Sequence, residues 1–268
     1  MIQNGKVKIL CISDLHGCVN YSRIADVAIR KKVDVVAIAG DIETAVIGSS
    51  HERHFEREFL GMCNKMLFHG IEVVATPGNH DSFLREELGN GRKRFAGNLH
   101  ILVDRCETVC GLKFYGTPWV PFINGQWCWE RADNRLAEKF DLIPGGIDVL
   151  VCHTPPEGVG EGETFDVSRQ NYRIWQHFGS RSLREAVLRC RPRCIVCGHI
   201  HSGDHRLNRI GDSALINCSL IDERYHEAYK PAEIVIESHA GGSVKMKFKT
   251  EGAKKFETLG QIGGSHDI

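Results

Sequence analysis

The stretch IEVVATPGNHDS, residues 71–82, joins an apolar run to a polar loop. The run Ile71–Ala75 is typical of a buried β-strand. Glycine and asparagine suit the turn that follows, because both residues tolerate unusual backbone angles. A turn does not require the next two residues, His80 and Asp81. Their presence indicates a functional loop if other strand ends in the chain carry matching side chains.

Strand-like and helix-like segments alternate on both sides of this stretch. Four further apolar runs are typical of strands, and helical patterns lie between them: KVKILCIS (6–13), VDVVAIAG (33–40), IDVLVCHT (147–154) and RCIVCGHIH (193–201). A chain that begins β-α-β-α-β favours parallel strands with helices packed on the outside. The middle and the last part are richer in strands. The sequence therefore predicts an α/β fold with two mixed β-sheets.

The composition is that of an ordinary globular domain. The chain has 268 residues, 42% of them hydrophobic, and its 34 basic residues balance its 34 acidic ones. We expect one domain over residues 1–250 and a C-terminal tail over residues 251–268, which ends in the glycine-rich GQIGGSHDI. The neutral net charge does not indicate long nucleic acid as a partner, although nucleic acid stays an open alternative. No apolar run approaches the roughly 20 residues of a membrane helix.

The cysteines and the start of the chain favour a cytoplasmic location. The first 14 residues lead directly into a strand pattern without the features of a signal peptide. Several of the 11 cysteines lie inside apolar runs, which fits a reducing compartment. Cys190, Cys194 and Cys197 precede GHIH and suggest a zinc site as an alternative. Their spacing is irregular and no second cysteine pair completes such a site, so we do not favour it.

Each of the five apolar strands ends in side chains that can bind a metal ion. They are Asp14 and His16, Asp41, Asn79, His153, and His199 and His201. In an open α/β sheet, ligands bind beyond the carboxyl ends of the strands, so these side chains should converge. Asp14 and His16 are two residues apart, as are His199 and His201. In extended backbone, this spacing points both side chains of a pair to the same side.

The predicted ligands favour two divalent ions. Carboxylate and imidazole together suit Mn²⁺, Fe or Zn²⁺, whereas a pure Mg²⁺ or Ca²⁺ site would use oxygen ligands alone. Seven ligands exceed the number that one catalytic ion needs. Mn²⁺ is the metal that we expect, with Fe, Zn²⁺ or Ni²⁺ as alternatives. A carboxylate can bridge two ions about 3.5 to 4 Å apart. Asp41, the lone acid of its strand end, is the expected bridge.

The order of the motifs resembles that of the calcineurin-like metallophosphoesterase superfamily. Its five blocks correspond to DLH at 14–16, GD at 40–41, GNHD at 78–81, His153, and GHIH at 198–201. The segments GTPWVPFINGQW and INCS further resemble the branch of small phosphodiesterases that includes the mammalian metallophosphoesterase-domain proteins. The resemblance implies two mixed β-sheets packed as a sandwich and flanked by helices.

Residue by residue, the resemblance implies two metal sites that share one carboxylate. It assigns Asp14, His16, Asp41 and His201 to one ion, and Asp41, Asn79, His153 and His199 to the other. His80 is left as the catalytic histidine, and we interpret Asp81 as the residue that orients it through its other ring nitrogen. Some relatives lose the first histidine of the last block. His199 is present here, which favours an active enzyme.

These roles predict a two-metal phosphoesterase. A hydroxide held between two metal ions would attack phosphorus in line and hydrolyse a phosphodiester bond. The expected partner is a small phosphoester substrate, such as a cyclic nucleotide or another small diester. Phosphomonoesters and the phosphorylated ends of nucleic acids are alternative substrates. A scaffold on the same fold that does not catalyse is a third alternative.

Other residues leave alternatives open. The aromatic side chains Trp119, Phe122, Trp127 and Trp129 suit either a wall for a ring in the substrate or core packing. Asn20 and Arg23 follow the first motif and are candidate substrate contacts. Cys18 stands where many relatives carry arginine, so phosphate binding should rely more on the metals. His51 and His54 lie three residues apart on a predicted helix, and we interpret them as surface residues.

Overall fold

The computed structural model describes residues 5–43, 54–89, 95–161, 177–239 and 243–262. Along these residues the elements are β1 (Lys6–Ile12), α1 (Tyr21–Lys31), β2 (Val35–Ala39), a π-helical turn (Phe55–Phe59), α2 (Leu60–Phe68), β3 (Glu72–Thr76), α3 (Ser82–Gly89), β4 (Leu99–Ile101), β5 (Arg105–Val109), β6 (Leu112–Thr117), β7 (Val120–Pro121), β8 (Glu130–Arg131), α4 (Asp133–Phe140), β9 (Val149–Cys152), α5 (Arg181–Cys190), β10 (Cys194–Cys197), β11 (Asn208–Ile210), β12 (Ser213–Asn217), β13 (Ala232–Ser238), β14 (Val244–Lys249) and β15 (Glu257–Ile262).

The first sheet has seven strands in the order β15-β14-β13-β1-β2-β3-β4. Strands β1 to β4 are parallel, and β13 to β15 continue the sheet in antiparallel pairing. All five residues of β2 are buried, as expected for a parallel strand that is covered on both faces. Strand β15 comes from the segment that the sequence predicted as a tail, and its residues pair with β14.

The second sheet has six strands in the order β11-β12-β10-β9-β6-β5. Its four central strands are parallel, and the edge strands β11 and β5 are antiparallel to their neighbours. The short strands β7 and β8 form a separate parallel pair. The tryptophan-rich loop runs between them.

The two sheets pack face to face, and helices cover both outer faces. Val35 and Val74 of the first sheet share a buried core with Val151 and Val196 of the second. The next residue of β2, Val36, belongs instead to the core under α1, α2 and α3, because successive side chains of a strand point to opposite faces. Helices α4 and α5 cover the second sheet through a third core. This arrangement confirms the predicted α/β sandwich of two mixed sheets.

Helix α1 links β1 to β2 and is capped at both ends. The side-chain oxygen of Asn20 accepts a hydrogen bond from the backbone N–H of Arg23 at 2.9 Å. Asn20, a candidate substrate contact, therefore has a local role as the N-cap of α1. The helix ends at Lys32, whose φ of 53° lies in the left-handed region. Among the described helices, none has the length and apolar character needed to cross a membrane.

All eleven cysteines are free thiols within the described residues. Cys194 faces the core between the sheets, whereas Cys197, on the opposite face of β10, and Cys190 belong to the core under α4 and α5. Across the described ranges, no cysteine takes part in a group of possible metal ligands. The three thiols therefore do not form a zinc site.

Candidate metal centre

The candidate site lies where the carboxyl ends of the two sheets meet. The seven side chains predicted as ligands follow strands of both sheets: Asp14 and His16 after β1, Asp41 after β2, Asn79 after β3, His153 after β9, and His199 and His201 after β10. Hydrogen bonds join the sheets at this edge. The backbone N–H of His199 donates to the carboxylate of Asp14, 3.1 Å from each oxygen.

The possible ligand atoms form three overlapping groups. Within each group the atoms lie within 4.8 Å of one another, and the groups are Asp14, His16 and His201; His16, Asp41 and His80; and Asp41, His153 and His199. Asn79 joins the last group, because its Oδ1 lies 3.0 Å from Nε2 of His153. The structure therefore brings all seven predicted ligands together and places His80 beside them.

Asp41, a member of the last group, also lies close to the first, and we call these two the outer groups. Its Oδ2 is 3.3 Å from Nε2 of His16 and 3.2 Å from Nε2 of His153. Its other oxygen, Oδ1, accepts a hydrogen bond from the backbone N–H of His80 at 2.9 Å. One oxygen of this buried carboxylate thus faces a histidine of each outer group.

Backbone carbonyl groups orient two of the histidines. Nδ1 of His153 lies 2.7 Å from the carbonyl oxygen of Ala39, and Nδ1 of His201 lies 3.2 Å from that of Asp222. A carbonyl oxygen only accepts hydrogen bonds, so each Nδ1 must carry a proton. In the neutral ring, the lone pair is then on Nε2, which faces the carboxylates. Metal-binding histidines use the same arrangement.

Four ligand residues have left-handed backbone angles: Asp14 (φ 56°), His16 (φ 46°), Asp41 (φ 52°) and His199 (φ 67°). The prediction that the paired residues share one side because their backbone is extended is therefore wrong. The side chains of Asp14 and His16 meet the site because the chain turns sharply after Ile12, where β1 ends. Residues in this region cost about 1–3 kcal/mol each and are often found at functional sites.

Gly198 provides the space in which Asp14 lies. A Cβ atom at this position would lie 2.5 Å from Cβ of Ser13 and would overlap Oγ of Ser13 and Oδ2 of Asp14. Both side chains are fully buried, and Oγ of Ser13 donates a hydrogen bond to the carbonyl oxygen of Ala39 at 2.9 Å. Neither side chain can easily move to make room for a Cβ atom. Glycine is therefore required at this contact between the two sheets.

The histidines keep both buried carboxylates ionised. Burial opposes the charge of Asp14, but the hydrogen bond and charge of His201 outweigh it and lower the pKa of Asp14 to about 2. Burial also opposes the charge of Asp41, and the charges of His153 and His16 hold its pKa well below the usual range. Two ionised carboxylates are therefore available to a cation.

The histidines differ in their own protonation. Burial lowers the pKa of His16 to about 4 and that of His199 to about 3, so both rings are neutral at pH 7. Burial acts in the same direction on His153, but the charge and hydrogen bond of Asp41 outweigh it and raise the pKa of His153 to about 9. Without a metal ion, a proton on His153 thus offsets the negative charge beside Asn79 and Asp41.

The donor set fits divalent metal ions. Both ring nitrogens of His16 are buried, and neither has a hydrogen-bond partner among the described residues. Leaving such atoms without a partner is costly, and a bound cation would satisfy a ring nitrogen. Carboxylates, an amide oxygen and imidazoles together are donors that suit Mn²⁺, Fe or Zn²⁺.

His80 packs between a predicted ligand and the tryptophan-rich loop. The centroid of its ring is 4.6 Å from that of His16 and 4.3 Å from the ring of Trp127. Burial lowers the pKa of His80. His80 is only partly buried, unlike the neighbouring His16. It therefore combines contact with the candidate metal centre and access to solvent.

Asp81 has partners that differ from the predicted one. Its carboxylate accepts hydrogen bonds from the backbone N–H groups of Glu43 at 2.7 Å and Gly78 at 2.6 Å. Within the described part of the chain, no hydrogen bond joins it to the ring of His80. The hypothesis that Asp81 orients this ring is therefore not the arrangement in the structure. The buried carboxylate instead holds the GNHD loop against the loop that follows β2.

The four aromatic side chains of the tryptophan-rich loop have different surroundings. Trp119 and Trp129 are buried and pack edge to face, with their centroids 5.4 Å apart. Phe122 is 61% exposed. Trp127 is half-buried against His80. Core packing thus accounts for Trp119 and Trp129, and Trp127 is the member of the set that contacts a site residue.

A buried carboxylate shapes the loop that carries Trp127. Glu130 accepts hydrogen bonds from the backbone N–H groups of Ile123 at 2.8 Å, Asn124 at 3.1 Å and Trp127 at 2.8 Å. The backbone N–H of Cys128 donates to the carbonyl oxygen of Asn79 at 3.2 Å. These bonds fix the loop internally and attach it to the GNHD loop.

Two residues that hold the GHIH loop by hydrogen bonds to its backbone were not predicted from the sequence. Asn217, at the end of β12, donates hydrogen bonds to the carbonyl oxygens of Gly160 at 3.0 Å and Ile200 at 2.9 Å. Nε2 of His205 lies 2.9 Å from the carbonyl oxygen of His201. Asn217 belongs to the INCS motif, so that motif was the available signal. His205 had no signal in the sequence.

The remaining candidates lie outside the ligand groups. Arg23 forms an ion pair with Glu227 at 2.9 Å. Cys18 is exposed, and its Sγ donates to the carbonyl oxygen of His16 at 3.5 Å. The ring of His54 packs against an aromatic side chain of α1 at 5.3 Å. His51, which the sequence analysis grouped with His54, lies outside the described residues.

Comparisons with known proteins place the chain in a family. The model of the calcineurin-like phosphoesterases matches residues 7–203. A UPF0046 protein of Caenorhabditis elegans is 28% identical over 258 residues, which cover 87% of this chain and 61% of that protein. Human metallophosphoesterase domain-containing protein 1 is 30% identical over 190 residues, which cover 70% of this chain and 53% of the human protein. The chain thus spans less than two thirds of the length of these two relatives.

The fold also matches that of a solved structure. A dimetal phosphatase from Danio rerio superimposes with a TM-score of 0.51 at 12% sequence identity, covering 94% of this chain and 98% of that one. This likeness concerns the fold. The range matched by the family model contains all nine residues that the sequence analysis selected as ligands or catalytic groups. The resemblance seen in the sequence is therefore confirmed, and the chain belongs to the calcineurin-like phosphoesterase family.

Proposed function

We propose that the protein is a metal-dependent phosphodiesterase that uses two divalent ions. The observation that carries this proposal is the position of Asp41, whose Oδ2 lies 3.3 Å from His16 and 3.2 Å from His153. A carboxylate oxygen between two sets of ligands is what a bridging ligand requires. Membership of the phosphoesterase family supports hydrolysis of phosphoesters.

The two outer ligand groups would each hold one ion. Asp14, His16, Asp41 and His201 are the proposed ligands of the first, and Asp41, Asn79, His153 and His199 those of the second. When bound, two divalent ions would lower the pKa of a water molecule and offset the negative charge of the phosphoryl oxygens. Mn²⁺ is the proposed metal, because it accepts carboxylate, amide and imidazole ligands together. Fe, Zn²⁺ and Ni²⁺ are alternatives.

In this proposal His80 acts on the leaving group. Its backbone N–H is held by Asp41 at 2.9 Å, and its ring lies between His16 and Trp127. Because burial lowers the pKa of His80, the ring is neutral at pH 7 and can donate an N–H hydrogen bond to the leaving oxygen. Asp81 would contribute by holding the backbone of the GNHD loop.

Hydrolysis of bis-p-nitrophenyl phosphate by the Mn²⁺-loaded protein tests the proposal. Asp41→Asn keeps the shape of the side chain but weakens its hold on two ions. We expect kcat to fall by at least about 100-fold, since even partners behind the ligands change metal affinity or activity by about 10- to 100-fold. Asp212→Asn, at an exposed turn, is the matched control and should retain the wild-type rate. Equal rates for wild type and Asp41→Asn would refute the proposal.

We propose that the site prefers diesters to monoesters. Within the described part of the chain, every ion pair of Asp14 and Asp41 is with a histidine. A monoester dianion carries one more negative charge than a diester, and no arginine stands at Cys18 to offset it. We expect kcat/KM to be at least about 10-fold higher for bis-p-nitrophenyl phosphate than for p-nitrophenyl phosphate. The reverse order would favour a phosphomonoesterase, and preferential cleavage of phosphorylated oligonucleotide ends would favour a nucleic-acid substrate.

A scaffold that does not catalyse is separated from this proposal by metal analysis. The proposal expects two ions per chain after reconstitution with Mn²⁺, together with diesterase activity. A scaffold would not need the full set of seven ligands, and the full set supports an enzyme. Fewer than two ions per chain and no activity after reconstitution would favour the scaffold.

The proposed setting is the cytoplasm, with a small phosphoester as the substrate. All eleven thiols are free, and seven of them are buried, which suits a reducing compartment. Fluorescence microscopy of the tagged protein in its own cells tests this location. Accumulation in an organelle or outside the cell would contradict it.

A further inference from the structure

Tyr225 is an aromatic residue at the site that lies outside all five motif blocks. It belongs to the loop between β12 and β13. Its ring packs edge to face against two predicted ligands, with centroid distances of 5.0 Å to His16 and 5.5 Å to His201. The residue is nevertheless 38% exposed. Tyr225 therefore lines the candidate metal centre on the side open to solvent.

The loop holds Tyr225 in an unusual conformation. Its φ of 62° is rare for a large side chain. The backbone N–H of Tyr225 donates to the carbonyl oxygen of Asp222 at 3.0 Å, and Nδ1 of His201 lies 3.2 Å from the same oxygen. The carboxylate of Asp222 accepts the N–H groups of Arg224 and His226, both at 2.9 Å. The carbonyl group of Asp222 thus couples the position of Tyr225 to that of His201, a predicted ligand. Residues with strained backbone angles, such as Tyr225, are common at functional sites.

The phenol group is free to bind a ligand. Within the described ranges of the chain, the hydroxyl of Tyr225 has no hydrogen-bond partner. A phenol is protonated at neutral pH and can donate one hydrogen bond.

The arginine that follows the first motif already has an acidic partner on this side of the site. Arg23, the nearest candidate from the first motif, is paired with Glu227 of the same loop as Tyr225 at 2.9 Å. Asp14 and Asp41 pair with histidines alone within the described residues. A phenol beside the metal ligands therefore offers a phosphoryl oxygen an uncharged hydrogen-bond donor.

We propose that Tyr225 is a substrate-binding residue whose phenol O–H donates a hydrogen bond to a phosphoryl oxygen of the substrate. The inference rests on the proposed function, because it takes the substrate to be a phosphoester. Inorganic phosphate presents the same oxygens and tests the hydrogen bond without any turnover.

Calorimetric titration of the Mn²⁺-loaded full chain with inorganic phosphate tests the proposal. Tyr225→Phe keeps the ring against His16 and His201 and removes the donor alone. Loss of a hydrogen bond to a charged group should weaken phosphate binding by Tyr225→Phe about 10- to 100-fold. Bound Mn²⁺ should stay at the wild-type amount. Tyr229→Phe, which removes a phenol of the same loop that stacks on His205, is the control and should bind within about twofold of wild type.

Two results would overturn the proposal. The first is phosphate binding by Tyr225→Phe within about twofold of wild type. The second is loss of bound Mn²⁺ from Tyr225→Phe, since the residue would then act through the ligands His16 and His201. Parallel kinetics with bis-p-nitrophenyl phosphate separate this failure from that of the proposed function. If the wild type binds phosphate through Tyr225 but does not hydrolyse the diester, the binding role is supported and the proposed function fails.

Discussion

Replacing Gly198 by alanine is expected to damage one half of the candidate metal centre without changing any ligand. The added methyl group would overlap Oδ2 of Asp14 and the side chain of Ser13. Both side chains are fully buried, and Ser13 is held by its hydrogen bond to Ala39. The carboxylate of Asp14 must therefore shift, or the two sheets must separate locally.

The structure suggests the size of the effect. Overpacking a buried position typically costs about 1–3 kcal/mol. In a chain of this length, 1 kcal/mol changes Tm by about 2–4 °C, so metal-free Gly198→Ala should melt about 2–12 °C below the wild type. A displaced Asp14 would also leave the group that it forms with His16 and His201. The variant should then bind about one ion fewer per chain after reconstitution.

Scanning calorimetry with EDTA and metal analysis after reconstitution measure the two effects. Gly61→Ala is the matched control, because a Cβ atom there would meet no heavy atom within 4 Å. Gly61 lies in α2, where alanine is preferred over glycine by roughly 0.5–1 kcal/mol. The control should therefore melt at or slightly above the wild-type temperature. A wild-type Tm and a full metal content for Gly198→Ala would show that Gly198 is not tightly packed against Ser13 and Asp14.

Three further predictions follow from the site and the thiols. His80→Ala should keep two ions and lose at least about 100-fold in kcat, and loss of an ion would instead identify His80 as a ligand. The metal-free protein should be most stable near pH 6.5, the ordinary histidine pKa. Below pH 6.5, histidines of the unfolded chain bind protons, whereas buried His16 and His199 bind them only near pH 4 and 3, so stability falls as the pH falls. Above pH 6.5, stability falls as the pH rises toward about 9, because the stabilising proton of His153 is lost from the native state. Urea unfolding with EDTA measures this, and stability that rises from pH 6.5 to 5 would contradict it. Ellman's reagent should modify the three exposed thiols of the native protein first and the seven buried ones only on unfolding, whereas rapid reaction of all eleven would exclude this packing.

Much of the fold and the location of the site could be predicted because they depend on local patterns. Buried parallel strands are continuous apolar runs, so each strand end was visible where the run met a polar residue. Since loops at the carboxyl ends of parallel strands share one edge, Asp14, Asp41 and His153 were expected together before any coordinates. The family resemblance then supplied the pairing of the two sheets.

Backbone conformation and hydrogen-bond partners could not be predicted in the same way. The left-handed angle of His16 depends on contacts with the loop after β2, which is distant in sequence. Asp81 follows His80 directly in the sequence, yet its carboxylate binds backbone N–H groups, one of them from Glu43. Adjacent residues are therefore a poor guide to which side chain orients which.

Aromatic residues in irregular loops carried the weakest signal. Trp119 and Trp127 belong to the same motif, but one is buried in a core and the other contacts His80. Tyr225 lies in a loop without periodicity, so its neighbours His16 and His201 could be identified only from the fold.

The ligands of the candidate centre come from both sheets, and this makes a bound ion a reversible cross-link. Asp41 belongs to the first sheet and His153 to the second, so the sheets cannot part at this edge without releasing an ion held by both. Amide groups of β9 and β10 that exchange with solvent only when the sheets part should therefore exchange more slowly as the metal concentration rises above its dissociation constant. Metal occupancy would thus be detectable as hydrogen-exchange protection of amides in these two strands.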